Sequence, residues 1–226
     1  MIRPLHIALA LAFALATPNA DSAQSAAPSG ADSLGLILEG LAPAPRIAYL
    51  MYLLEDRKDD AEVHFQLGVA YHEAGKPDSA LRYYGKAAEL APGLSKAYVN
   101  MAVLYDGQNR RTEALRMFER AIDVNPDDLL AHAHLAYTLF GAGEYEAAGT
   151  HISKALAIDS LDPQPHFYLA IFFWESGMFK ESLAEWEKVV ACAPGSDLAE
   201  KATENIAVLQ QALLAPAGED VPLPRP

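Results

Sequence analysis

Along the middle of the chain, large side chains return at spacings of three and four with a small residue set among them. His64, Leu67, Gly68 and Tyr71 begin the series. Tyr98, Met101, Ala102 and Tyr105, then His132, Leu135, Ala136 and Leu139, then His166, Leu169, Ala170 and Phe173 repeat it. Such spacing gathers residues on one face of an α-helix. A second series follows each first one: Ala80, Tyr84, Ala87; Ala114, Phe118, Ala121; Ala148, Ile152, Ala155; Ser182, Trp186, Val189. It too has helical spacing, so each unit reads as two amphipathic helices. Between the two helices, "AGKP", "GQNR", "GAGE" and "SGMF" supply a glycine or asparagine suited to a left-handed helix end. Pro92, Pro126 and Pro194 stop the second helix, because proline lacks an amide hydrogen and restricts the residue before it. Ser160 takes that place in the third unit and Pro163 follows, which predicts a slightly shifted helix end there.

The frame is constant at 34 residues, giving four units at 61–94, 95–128, 129–162 and 163–196 within a repeat region of 60–194. The small residues have a mechanical reason. Where two helices cross closely, a large side chain would push the axes apart, at a cost of roughly 1 to 3 kcal/mol. Ser182 meets that size limit without being alanine. The large residues fill the groove between one helix pair and the next, so a lone unit cannot complete its core. Asp59 with Asp60, and Asp127 with Asp128, fall at helix starts, where carboxylates cap the helix and favour its dipole.

The ends read differently. Residues 195–215 form a capping helix, with Leu198, Ala202, Ile206, Leu209 and Leu213 near one stripe. Residues 216–226 are a proline-rich tail expected to be disordered. Residues 33–59 suggest an N-terminal helical segment packing on the first repeat. Shifting the frame back once more makes it a degenerate fifth unit, with Arg46 where alanine is wanted and Lys58 where proline is wanted. Residues 21–32 look like a flexible linker. Before them, Arg3 precedes an apolar run from Leu5 to Ala16, the grammar of a signal peptide over residues 1–20. Small residues at Ala14 with Ala16, and at Ser25 with Ala27, offer two alternative cuts. The expected destination is export, to the bacterial periplasm or beyond the cell, with no membrane insertion once the signal is cleaved.

The repeat resembles the tetratricopeptide family, whose skeleton of a large residue, a small residue, an aromatic, alanines and a closing proline recurs in these four units. No unit has Trp at its first signature position, only the first keeps the Gly, and Ser182 and Val189 replace alanines in the fourth. The resemblance implies an all-α, right-handed α-solenoid of helix-turn-helix repeats closed by a C-terminal capping helix. It also implies a concave groove lined by the first helices, which holds a partner peptide. By register, the lining is Phe65, Val69 and His72; Val99, Val103 and Asp106; Ala133, Tyr137 and Phe140; Phe167, Ile171 and Trp174, with Asn100, His134 and Tyr168 beside them. Some relatives grip a terminal carboxylate with lysine and asparagine. Phe65, Val69 and Leu130 stand where those residues would be needed and only Asn100 fits, so that mode is not expected here.

Composition narrows the partner. With 17 basic against 30 acidic residues the formal charge is -13, which repels nucleic acid and anionic lipid. Arg110, Arg111, Arg116 and Arg120 are interleaved with Glu113 and Glu119, the pattern of a salt-bridged helix face. The single cysteine, Cys192, excludes an internal disulfide and reads as a small core residue. His132 and His134 lie two apart and point in different directions on a helix, which argues for structural histidines over metal ligands. "GAGEYEAAG" lacks the strand and lysine of a phosphate cradle. No catalytic, metal or cofactor residues are assigned. The reading is a non-enzymatic scaffold or adaptor of the bacterial envelope that binds another protein. The alternative is a homo-oligomeric structural or assembly component of an envelope or secretion complex.

Overall fold

The structure is a computed structural model that describes Leu38 and residues 40–214. The expected signal segment, linker and proline-rich tail lie outside the described residues. Among the described residues the structure is all-α, with ten helices: α1 (Pro43–Asp56), α2 (Ala61–Glu73), α3 (Pro77–Leu90), α4 (Ser95–Gly107), α5 (Arg111–Val124), α6 (Leu129–Gly141), α7 (Tyr145–Ile158), α8 (Pro163–Glu175), α9 (Phe179–Cys192) and α10 (Asp197–Leu214). First helices begin at 61, 95, 129 and 163, and second helices at 77, 111, 145 and 179, each in steps of 34 residues.

The punctuation explains this regularity. Gly75, Asn109, Gly143 and Gly177 carry the positive φ of a left-handed helix end, with φ between 59° at Asn109 and 83° at Gly143. The following residues Lys76, Arg110, Glu144 and Met178 donate their amides back to the carbonyls of Tyr71, Tyr105, Leu139 and Phe173. Those bonds satisfy carbonyls that the end of a helix leaves unpaired. Asp60, Asp128 and Asp162 accept backbone amides at the starts of α2, α6 and α8, while Leu94 offers α4 no side-chain cap. Thus the second member of each aspartate pair caps. Asp127 instead accepts from Lys154 Nζ at 2.8 Å, and that bond pulls its carboxyl pKa down.

The expected shift at the end of the third unit does not occur: α7 stops at Ile158, in the same register as its neighbours. Asp159 supplies the missing stop. It is extended, with φ -147° and ψ 111°, and its carboxylate accepts the Leu161 amide at 2.8 Å. An aspartate turn therefore replaces the steric effect of proline.

Two compact units divide between Ala91 and Pro92. In the first, α1 packs on α2 and α2 on α3, around Leu38, Leu50, Val63, Leu67, Ala70 and Tyr83. α1 begins 34 residues before α3, and fully buried Leu50 takes the place that Tyr84 has in α3. Arg46, in an alanine position, reaches Glu73 Oε1 and the Leu41 carbonyl, both at 2.9 Å. In the second unit the hairpins α4–α5, α6–α7 and α8–α9 each lean on the next, and α10 covers α8 and α9. One continuous core runs through them, from Val99 to Leu209. This is the solenoid arrangement the repeat implied. The cap's buried stripe is Ala199, Ala202, Asn205 and Leu209, while Leu213 is exposed. Cys192 is half-buried, less enclosed than a core residue.

The close crossings carry the design. Ala114, Ala121, Ala148 and Ala155 are essentially sealed from solvent, as are Phe118 and Trp186. Ser182 does more than fit: its hydroxyl donates to the Ala170 carbonyl at 2.8 Å, tying α9 to α8. A histidine device also recurs. His64, His132 and His166 each place Nε2 on the carbonyl six residues earlier, of Lys58, Pro126 and Ser160, at 2.8, 3.1 and 2.9 Å. The first signature position thus fastens a first helix to the loop that precedes it. Where it is Tyr98, Arg120 lies over the ring instead.

Gly68 tests the crossing rule. A Cβ there would stand 2.4 Å from Cδ1 of Tyr84, whose ring is almost fully buried and cannot swing aside. Alanine gains up to about 1 kcal/mol over glycine in a helix, but overpacking costs roughly 1 to 3 kcal/mol. Gly68→Ala is therefore expected to lower stability by up to about 2 kcal/mol in urea unfolding. A gain in stability would show that the crossing is not as tight as described.

Candidate protein-interaction face

The fifteen positions read from register do not share one environment. In the first unit, Phe65 is buried against Tyr84, with ring centroids 5.6 Å apart. Val69 is half-buried and His72 exposed. In the second unit, Val99, Ala133 and Phe167 form a buried column, and Phe167 meets the edge of Trp186 at 4.8 Å. Ile171 and Tyr168 are also buried. Phe65, Val99, Ala133, Phe167, Tyr168 and Ile171, expected to line the groove, are thus packing residues, because each is covered by the second helix or the adjoining first helix. Asn100, Val103, Asp106, His134, Tyr137, Phe140 and Trp174 keep solvent-facing area. The last turns of α4, α6 and α8 therefore carry the accessible face.

Aromatic contacts hold that face rigid. Tyr137 on α6 stacks on Tyr168 of α8 at 4.7 Å, and Phe140 stacks on Phe172 at 4.1 Å and 7°. Phe140 also meets Tyr145, and Trp174 meets Phe179. Tyr145, Met178 and Phe179 are exposed, so the second-helix starts extend the apolar edge. Sequence register missed this extension, although 145 and 179 share the place that Arg111 fills one unit earlier.

Beside the aromatic rows lies a pocket of about 430 Å³, lined by Asp106, Asn109, Arg111, Tyr137, Thr138 and Gly141. Burial raises the Asp106 pKa, against the opposing pull of Arg111 and a hydrogen bond from Thr138. The Thr138 hydroxyl also lies 3.1 Å from the His134 carbonyl, so its single proton is shared between two acceptors. Burial likewise raises Tyr137, and the carboxylates of Asp106 and Glu175 raise it further.

His134 sits behind this face. Phe118 stacks on it at 5.9 Å, and the Tyr168 hydroxyl hydrogen-bonds with Nδ1 at 2.7 Å. Burial lowers its pKa to about 4, while Asp128 pulls the other way. The Tyr168 phenol is pushed far up, chiefly by burial.

Two other histidines pair across their hairpins. His132 Nδ1 meets His151 Nδ1 at 2.9 Å. His166 Nδ1 meets Glu185 Oε2 at 2.6 Å, and Glu185 also accepts from Lys188. His132 and His134 do point to different neighbours, as their spacing implied. Among the described residues, no three histidine, cysteine or acidic side chains are placed to hold a metal ion.

The tetratricopeptide-repeat family model matches residues 71–136 and 107–166. Comparison with curated protein sequences finds no match. Several solved structures share the fold. TTC0263, a thermophilic tetratricopeptide-repeat protein of Thermus thermophilus, is 22% identical with a TM-score of 0.66, covering 76% of this chain and 95% of that one. MamA (41-end) from Desulfovibrio magneticus RS-1 is 20% identical with a TM-score of 0.58, covering 76% and 99%. YrrB, described as a tetratricopeptide-repeat protein with an unusual peptide-binding site, is 22% identical with a TM-score of 0.52, covering 73% and 83%. The helix pairs, their period and the matched residues define an all-α repeat solenoid. Residues 71–166 match the tetratricopeptide-repeat family model and the helix pairs keep its period, so the fold is tetratricopeptide-like; proteins of that family generally serve as non-enzymatic scaffolds for other proteins.

The buried imidazole of His134 has a measurable consequence. Unfolded, the ring takes up a proton near its usual 6.5, but folded only near 4. Between those values the unfolded chain binds more protons, so stability present above pH 6.5 is lost as pH falls through 4. By accessible area the residue is only half-buried, so the effect is about 2 kcal/mol and not the full ~3 that the shift alone implies. His134→Gln retains an acceptor for Tyr168. It is expected to show a shallower loss of urea stability between pH 7 and 4 than the parent. Parallel curves would contradict this role.

Proposed function

We propose that this chain is an exported, non-enzymatic adaptor of the bacterial envelope whose second unit holds a segment of a partner protein on the last turns of α4, α6 and α8. One observation carries the reading. Tyr137, Phe140 and Trp174 stand half-exposed on rigid stacked supports beside a pocket, although nothing in the repeat geometry prevents polar residues there. Rigid aromatic anchors lose little entropy on binding and supply most of the favourable energy at protein interfaces. YrrB, a neighbour in fold, is described as having a peptide-binding site, which is in keeping with this reading. Export rests on Arg3 and the apolar run from Leu5 to Ala16, which lie outside the described residues. Among the described residues, no helix is long and apolar enough to cross a membrane.

Phe140→Ala/Trp174→Ala leaves buried Phe167 and Trp186 untouched, so the hairpins are expected to fold. Affinity capture from envelope extract, quantified by mass spectrometry, should recover at least one partner with the parent that falls tenfold or more with this variant, about 1.4 kcal/mol or above. Identical partner sets would remove the face from consideration.

A second reading, self-association, is favoured by the exposed Tyr145, Met178 and Phe179. It predicts a mass that rises with concentration in light scattering and returns to the monomer value in Tyr145→Glu/Phe179→Glu. A monomer at every concentration excludes it.

A further inference from the structure

Resting on that interaction face, we infer that the partner segment places a lysine or arginine side chain in the pocket beside Asp106 and lays bulky apolar residues on Phe140 and Trp174. Positions 106, 140 and 174 are one column of the repeat, one residue before the ends of α4, α6 and α8. The column changes from a carboxylate to two aromatic rings. Its chemistry therefore specifies a segment with a positive charge at one end of the contact and apolar bulk at the other.

Asp106 is poorly placed for stability. It lies in the last turn of α4, where the helix dipole is negative and opposes a carboxylate. It is also half-buried, and burial raises its pKa. Arg111 is the cation of the pocket, yet its Nη2 stands beside Gly141, 3.6 Å from where a Cβ on that glycine would be. Gly141 ends α6, and the negative end of that helix's dipole favours a guanidinium. Arg111 thus serves two negative groups at once and closes no ion pair with Asp106 among the described residues. Glu175 adds a second carboxylate acting on Tyr137. The two carboxylates and the C-terminal ends of α4 and α6 face one arginine and the N-terminal end of α5, so the full charges at the pocket sum to negative. An incoming ammonium or guanidinium would meet charge-assisted acceptors at Asp106 and the aromatic ring of Tyr137. A residue that costs stability at its own position and improves only with a ligand is what a binding site contains.

The test uses the full-length chain and a phage-displayed library of random peptides as probe. The intact protein should enrich sequences with Lys or Arg at a fixed spacing from apolar residues. Asp106→Asn should enrich apolar sequences without that basic residue. A synthetic peptide from the first set should bind Asp106→Asn roughly tenfold more weakly, and lose as much when its basic residue becomes norleucine. Asp106→Asn should melt at the same temperature or higher, because the amide removes a half-buried charge from a helix C-terminus. A purely structural role predicts the opposite. If the intact protein shows no basic preference, or Asp106→Asn keeps it, the cation assignment is wrong while the interaction face stands. If acidic peptides are enriched and lost with Arg111→Ala, the pocket holds anions and the assignment is likewise overturned. If Phe140→Ala/Trp174→Ala enriches the same peptides as the parent, or the parent enriches none, the face itself fails and the inference falls with it.

Discussion

The structure depends on how closely the two helices of a hairpin can cross. A first helix carries Gly68, Ala102, Ala136 or Ala170 at the crossing, and the second carries a pair of small residues around one large side chain. The large side chain is then clamped: Tyr84, Phe118 and Trp186 are almost wholly sealed, and Ile152 nearly so. Everything further out follows from this spacing. A close hairpin leaves its outer flanks apolar, and in the second unit those flanks are buried only by the next hairpin or by α10. The polar exceptions obey the same limit. Ser182 is tolerated because it is small and because its own hydroxyl donor is paired with the Ala170 carbonyl.

That constraint separates what a repeat must do from what it is free to do. Early turns of the first helices lie under neighbouring helices, so Val99, Ala133 and Phe167 are fixed by packing. The last turns are not covered in this way. There the four units differ most, with His72, Asp106, Phe140 and Trp174 at one register position. Variation of chemistry at a geometrically uniform place is how one scaffold can be given a particular partner. Asp106 and Phe140 are equally compatible with the turn they occupy, so helix formation does not choose between them.

Much of this was legible in the sequence, for a physical reason. Helix starts, the left-handed positions and the close-crossing residues are set by local sterics, and local sterics are written in the identity of Gly75, Asn109, Ala114 or Pro126. The shifted end expected near Ser160 was wrong because one local device can replace another: Asp159 bonds the Leu161 amide and stops α7 in register. The accessible face was only half legible. Register gives which side of a helix a residue is on, but not whether a neighbouring helix covers it. Phe167 and Trp174 look alike in sequence, yet one is covered by Trp186 and the other keeps solvent contact. The pocket was less legible still, since Arg111, Thr138 and Asp106 come from different helices and meet only through the stacking of one hairpin on another.

The histidines show the same boundary from another side. His64, His132 and His166 share one repeat position and make one common bond, yet their second ring nitrogens have different fates. His64 Nδ1 lacks a hydrogen-bond partner, His132 meets His151, and His166 faces Glu185. With Nε2 donating to a carbonyl, a neutral ring can only accept at Nδ1. That suits His132 if His151 donates. At His166 the partner is a carboxylate oxygen, a different chemistry from the imidazole that His132 meets. One repeated residue therefore meets three electrostatic settings, decided by what the second helix carries 19 positions later: Tyr83, His151 or Glu185. The backbone plan fixes the meeting, and the individual unit fixes its chemistry. On the accessible side, where Asp106 and Phe140 share a repeat position, such a difference between units can be read by another molecule.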